Sequence, residues 1–139
     1  MVEKTPEIPL SIVIIAYNQA ATLEKCLASL PKGAEIIVVD SQSTDNTCHL
    51  AQVWGAKVFD RKFDDFASQK NFGVDKATHP WILSIDTDET LDRKLRDNIL
   101  QLIKLPRENL PTGFRIKRTL YFMGKKMRFG KTFAAYQLA

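Results

Sequence analysis

The sequence predicts an α/β domain built on a doubly wound, mostly parallel sheet with helices on both faces, an α/β/α layering. Three observations carry this prediction. Apolar runs at 10–16, 35–39 and 81–85 are rich in Val, Ile and Leu and barely alternate, as parallel strands covered on both faces do. Each run stops abruptly, at Tyr17-Asn18, Asp40 and Asp86 respectively. Between the runs, apolar residues recur at helical spacing. At 139 residues and 45% hydrophobic, the chain fits one domain with a workable core, residues 10–139, preceded by a proline-containing lead-in over 1–9.

The elements follow in order. After the strand at 10–16, a helix over 20–30 places Ala20, Leu23, Leu27 and Leu30 on one face, with Glu24, Lys25 and Cys26 off or beside it. Pro31-Lys32-Gly33 ends that helix, and the strand 35–39 runs into Asp40. A second helix is expected over 44–54, with Ser43 as N-cap and Gly55 closing it. A short strand at 57–59, a helix near 65–77 and the strand into Asp86 complete β-α-β-α-β-α-β, and right-handed crossovers make this a doubly wound sheet. A helix over 91–105 and a basic antiparallel hairpin beginning at the strand-like 113–122, with a turn at Gly124-Lys125, fill the remainder.

Ligands of such sheets bind beyond the carboxyl ends of the strands, where Tyr17, Asp40 and Asp86 emerge. Asp86, Asp88 and Glu89 put three carboxylates into four residues there. Carboxylates are hard oxygen ligands, suited to Mg²⁺ or Mn²⁺ shared with a substrate's phosphates. A lone Asp-x-Asp also reads as a solvated acidic turn capping the next helix. Taken alone, Tyr17 reads equally as a core-edge aromatic or as a ring able to stack on a flat ligand, Asp40 as an acceptor or a turn cap with Ser41 and Ser43, and Lys70 as an exposed helix lysine.

Four segments then occur in a telling order: Ile14-Ile15-Ala16-Tyr17-Asn18, Val38-Val39-Asp40-Ser41-Gln42-Ser43-Thr44-Asp45-Asn46-Thr47, Gln69-Lys70-Asn71-Phe72-Gly73 and Asp86-Thr87-Asp88-Glu89. Together they resemble the successive motifs of family-2 glycosyltransferases, nearest the branch that includes glucosyltransferases of the lipopolysaccharide core. The resemblance spans about residues 10–90 and continues more loosely through Tyr121-Phe122-Met123-Gly124. It implies the GT-A fold and a nucleotide-diphosphate sugar donor, a UDP-sugar being favoured. It also implies inverting transfer to a cell-envelope glycan or lipid-linked acceptor, with Mg²⁺ or Mn²⁺ as cofactor. By the same resemblance, Ala16 and Tyr17 line the base, and Asn18 and Ser41 belong to the nucleotide site. Asp40 bonds the base or ribose, Lys70 lies near the diphosphate, Asp86 meets the ribose or the metal's water shell, and Asp88 ligates the metal. Residues 10–90 thus correspond to a donor half and 91–139 to an incomplete acceptor half.

Two positions depart from the family pattern: Gln19 replaces a common Glu, and Ala135 stands where an acidic residue often precedes the aromatic. No carboxylate side chain follows Glu108, so no catalytic base is assigned. The chain therefore reads as truncated at its C-terminus and as a poor transferase, with slow donor hydrolysis expected to exceed transfer. The alternative is a non-catalytic nucleotide-sugar-binding domain. The apolar end at 133–139 is expected to favour self-association, which leaves oligomerisation open. Asp86-Thr87-Asp88-Glu89-Thr90 also resembles the nucleophile motif of haloacid-dehalogenase-type phosphatases. That motif should open its domain and be followed by a serine or threonine, a lysine and an acidic pair; here it lies late and no serine follows Ser84.

The net charge of +4 conceals a split. Residues 1–89 hold 8 Lys/Arg against 13 Asp/Glu, net −5, and residues 90–139 hold 12 against 3, net +9. Arg115, Lys117, Arg118, Lys125, Lys126, Arg128 and Lys131 interleave with Phe114, Tyr121, Phe122, Met123, Met127, Phe129 and Phe133. The pattern suits a hairpin with its aromatics inside, and peripheral contact with an anionic membrane surface. Nucleic acid is not expected, because no nucleic-acid motif accompanies the charge. Two isolated cysteines, Cys26 and Cys48, suit a reduced cytoplasmic protein, placed at most peripherally on the cytoplasmic face of the inner membrane. His49 and His79 lack ligand spacing, and no apolar segment approaches the roughly 20 residues that span a bilayer.

Overall fold

The computed structural model describes residues 6–119, 121–126 and 133–137. The first part of the lead-in lies outside them, as do Met127, Arg128, Phe129 and Lys131 of the basic-aromatic cluster. The chain runs β1 (Leu10–Ala16), α1 (Ala20–Ser29), β2 (Glu35–Asp40), α2 (Thr47–Val53), β3 (Lys57–Asp60), α3 (Phe66–Lys76), β4 (Trp81–Ser84) and α4 (Arg93–Leu102). After a 3₁₀ turn at Arg107–Asn109 come β5 (Gly113–Lys117), β6 (Tyr121–Phe122), β7 (Lys125–Lys126) and β8 (Phe133–Gln137).

The main sheet is parallel throughout, in the order β3-β2-β1-β4. Stepping outward from β1 to β2 and β3 and then returning to β4 reverses the winding, so the switch point lies between β1 and β4. Burial explains the unalternating sequence. Ile12, Ile14 and Val38 pack into the core shared with Leu23, Cys26 and Leu27 of α1 and Ala51 of α2. Val13, Ile37 and Val39 face the opposite way, against Phe72 and Val74 of α3. Both faces are dry because right-handed crossovers leave α1 and α2 on one side and α3 on the other.

Several expectations are corrected. Cys26 is fully buried within the α1 core face, because its position stacks over Leu23 and beside Leu27. The second helix begins at Thr47, not 44, and its N-cap is Asn46 rather than Ser43, whose hydroxyl is engaged elsewhere. The lead-in is tied down at Ile8, whose amide donates to the Gly33 carbonyl at 3.1 Å and whose side chain joins the core. The basic hairpin resolves into two pairings: β5 pairs antiparallel with β8, while β6 and β7 close on Met123-Gly124. Both turn residues have positive φ, 47° and 76°, as a two-residue hairpin matched to strand twist requires. Phe114 does pack inward, 6.0 Å from the Trp81 ring, but Tyr121 and Met123 are exposed.

Candidate functional site

At the carboxyl edge of the sheet, the loops after β1 and β2 lock together through side chains. Asn18 and Gln42 both have positive φ, 50° and 62°, a conformation that non-glycine residues seldom hold without support. The support is visible. Ser43 Oγ donates to Asp40 Oδ1 at 2.5 Å and accepts from the Asn18 amide at 2.8 Å. The Ser43 amide donates to Asp40 Oδ2 at 2.8 Å. In return, Asn18 Oδ1 accepts from the amides of Thr44 and Asp45 at 2.8 and 3.3 Å. Asp45 holds the α1 N-terminus by accepting from the Ala20 amide at 3.2 Å, and its hydrogen bonds from Thr47 lower its pKa.

Asp40 is therefore buried, with both oxygens used in organising this loop pair. Ala16 is buried too, and its carbonyl accepts from the Ser41 amide at 2.8 Å. Tyr17 is 58% exposed, so its ring is free to receive a flat ligand. Ser41 Oγ accepts from Gln69 Nε2 at 2.9 Å. Gln69 is fully buried and also bonds the Arg61 carbonyl and side chain, which fixes the first turns of α3 against the strand ends.

Lys70, next along α3, reaches the second cluster. Its ammonium lies 3.1 Å from Asp86 Oδ1. Arg118, just after β5, places Nη2 3.9 Å from Asp86 Oδ2 and Nε 2.8 Å from Glu89 Oε1. Glu89 Oε2 accepts from the Asp86 amide at 2.9 Å, closing the turn, and Asp88 is left exposed beside it. Beneath the turn, Cys26 donates to the Asp86 carbonyl. Burial, followed by the charges of Glu89, Asp86 and Asp88, pushes that thiol up to about 12. Burial and Asp40 likewise raise Cys48 to about 11, so neither cysteine is a ready nucleophile.

The sequence-predicted residues thus gather at one edge: Tyr17, Asn18, Asp40 and Ser41 on one side, Lys70, Asp86 and Asp88 on the other. Among the described residues no group of three or more His, Cys, Asp or Glu side chains forms a metal cage. Asp86 and Asp88 are a two-carboxylate donor set, which fits a small divalent ion that takes its other ligands from phosphate and water. Sequence reasoning missed the organising roles of Ser43 and Gln69, and it assigned Arg118 to a basic surface. Gln69 was signalled by its place beside Lys70. No local pattern signals Arg118, which arrives from 32 residues downstream of Asp86.

Comparison with known proteins bears on the family and the fold. A family model described as glycosyl transferase family 2 matches residues 11–136. The lipopolysaccharide core biosynthesis glycosyltransferase LpsC of Rhizobium meliloti (strain 1021) is 38% identical over 124 residues, covering 86% of this chain and 45% of that protein. An uncharacterized glycosyltransferase of Rickettsia bellii (strain RML369-C) is 35% identical over 128 residues, 91% of this chain and 43% of its own length. The chain thus spans less than half the length of these curated relatives. Among solved structures, the mannosyltransferase PcManGT from Pyrobaculum calidifontis, in complex with GDP-Man and Mn²⁺, superposes with a TM-score of 0.62 at 22% identity, over 83% of this chain and 39% of that one. S. aureus TarS 1-349, in complex with UDP-GlcNAc, gives 0.61 at 22% identity, over 68% and 30%. At that identity the likeness is one of fold, the GT-A type. Four motifs in order, their convergence on one sheet edge, and a family match across nearly the whole domain make this chain a member of glycosyl transferase family 2.

Proposed function

We propose that this chain binds a nucleotide-diphosphate sugar across the carboxyl edge of its parallel sheet and belongs to a transferase acting on a cell-envelope glycan or lipopolysaccharide-core acceptor. The carrying observation is the meeting of Lys70 and Asp86 at 3.1 Å beside the loop lattice held by Asp40 and Asn18. In this reading Ala16, Tyr17, Asn18 and Ser41 border the nucleoside, with the exposed Tyr17 ring stacked on the base. Asp40 holds the loop that receives the ribose or base edge. Lys70 takes the diphosphate as a point charge. Asp88 and Asp86 would hold Mg²⁺ or Mn²⁺, which when bound supplies charge neutralisation for the leaving diphosphate. LpsC's name supports the acceptor class, and the GDP-Man, UDP-GlcNAc and Mn²⁺ complexes of the fold neighbours support the donor and metal classes.

Chemically, an acceptor hydroxyl oxygen would bond to the anomeric carbon as the bond to the diphosphate oxygen breaks. The hydroxyl proton goes to a base outside the residues assigned above. One displacement inverts the anomeric centre, which proton NMR of the product would report. The second reading, a binding domain without turnover, is favoured by the pairing of Glu89 with Arg118, which engages that carboxylate. Donor consumption with and without acceptor separates the two.

Calorimetry of UDP, GDP and ADP, each with and without Mn²⁺, tests the donor site. Binding of at least one nucleotide, strengthened by Mn²⁺, is expected, and Asp88→Ala should abolish the metal effect without changing the melting temperature. A folded sample that binds none of the three in a metal-dependent way sinks the assignment.

A further inference from the structure

The turn after β4 is crowded with negative charge, and two of its carboxylates are held by cations from different parts of the fold. Lys70 comes from α3, inside the donor-side motifs. Arg118 comes from beyond β5, and its guanidinium spans two acids at once, 2.8 Å from Glu89 and 3.9 Å from Asp86. Asp86, Asp88 and Glu89 bring three negative charges, and Lys70 and Arg118 answer with two positive ones. A divalent cation settling on Asp86 and Asp88 meets both. Like charges a few ångströms apart at a partly exposed site oppose its binding by about tenfold or more.

We propose that Arg118 is an internal counter-ion of the donor site: it holds the Asp86 and Glu89 carboxylates in place of a divalent cation, and passes to the diphosphate when the donor enters with its metal. The inference rests on the donor-site reading above. Three features favour it. The guanidinium fork matches a diphosphate's oxygens as well as it matches two carboxylates, which an ammonium does not. The side chain is 32% exposed, so a ligand at this edge of the sheet can reach it. And Arg118 stands at the junction of β5 and β6, so its transfer would couple donor arrival to the position of that segment. Arg118 is thus a residue that tunes metal and donor affinity.

The full chain supplies the test. Mn²⁺ alone is titrated by electron paramagnetic resonance, and UDP and uridine by calorimetry at saturating Mn²⁺. Arg118→Gln is expected to bind Mn²⁺ alone about tenfold more tightly and UDP about tenfold more weakly, with uridine unchanged. Arg118→Lys should leave Mn²⁺ near the parent value and fall between the two for UDP. Lys117→Gln, an exposed cation one residue away, should move none of them. The opposite signs for Mn²⁺ and UDP separate this role from a structural one, which would weaken UDP and uridine together. Parallel losses of Mn²⁺ and UDP in Arg118→Gln, or UDP binding equal to the parent, would overturn the inference alone. A parent chain that binds no UDP overturns the donor-site reading and the inference with it.

Discussion

Asp40 and Glu35 sit at opposite ends of β2 and do opposite jobs. At the carboxyl end, Asp40 spends both oxygens on Ser43 and so fixes the shape of a ligand-facing loop. At the amino end, Glu35 faces no cleft: its side chain is 6% exposed and accepts from Lys57 at 2.7 Å, from the Thr78 amide at 2.9 Å and from Ser11 Oγ. It staples three strands and the α3–β4 connection at one point. Burial by itself would raise this carboxyl, but the hydrogen bonds from Lys57, Ser11 and Thr78 outweigh it and bring the group from its ordinary 4.5 to about 2. A folded-state value below the unfolded one stabilises the fold at pH above about 4.5, and that contribution disappears as pH falls toward 2. Glu35→Gln should therefore cost about 2 kcal/mol at pH 7. The deficit relative to the parent should shrink steadily between pH 4.5 and 3. Urea unfolding at three pH values reads it directly. A deficit that stays constant with pH would mean that the amide loses packing rather than charge.

Helix α3 carries a cap, a tether, a site residue and a close approach within one element. Asp65 caps it by accepting from the Ser68 amide at 2.8 Å, Gln69 ties it to the strand ends, Lys70 serves the site, and Gly73 lets it close on the sheet. A Cβ at Gly73 would lie 2.3 Å from Val13 Cγ1 and 3.2 Å from Val39 Cγ2. Gly73→Ala gains about 1 kcal/mol of helix propensity, but overpacking against two stiff β-branched side chains costs about 1–3 kcal/mol. The variant should be less stable by about 1 kcal/mol and should bind UDP more weakly, because α3 lifts and takes Lys70 with it. Unfolding and calorimetry on one sample check both; a stabilised variant with unchanged affinity would refute the close-approach argument. The strand and helix order was legible because burial on both faces leaves apolar runs, and the carboxylates lay where those runs stop. The start of α2 was not, since Ser43 is held by Asp40, three residues before it, and by Asn18, 25 residues before it. Nor was the β5–β8 pairing, because nothing local in 113–117 says that its partner skips two strands.

The whole molecule is polarised, with residues 1–89 at net −5 and residues 90–139 at net +9. Within the described residues of the basic part, Arg115, Lys117, Lys125 and Lys126 are all exposed. At the β6–β7 hairpin, Tyr121 and Met123 join them at 63% and 88% exposure. Exposed aromatic and thioether groups flanked by lysines match the boundary of an anionic bilayer, where the charges meet headgroups and the apolar tips enter the interface. No helix among the described residues is long and apolar enough to cross a membrane. We predict binding to vesicles of phosphatidylcholine mixed with phosphatidylglycerol and none to phosphatidylcholine alone, read by co-sedimentation. Each lysine near the surface contributes about 1 kcal/mol, so Lys125→Gln with Lys126→Gln should weaken binding by tenfold or more. About 0.5 M salt should abolish it, because the Debye length then falls well below the span of the patch. Donor binding by the same double variant should be unchanged, since neither lysine contacts the Asp86 turn. Equal affinity for neutral and anionic vesicles, or no effect of salt, would show that the positive charge of this half serves something other than a lipid surface.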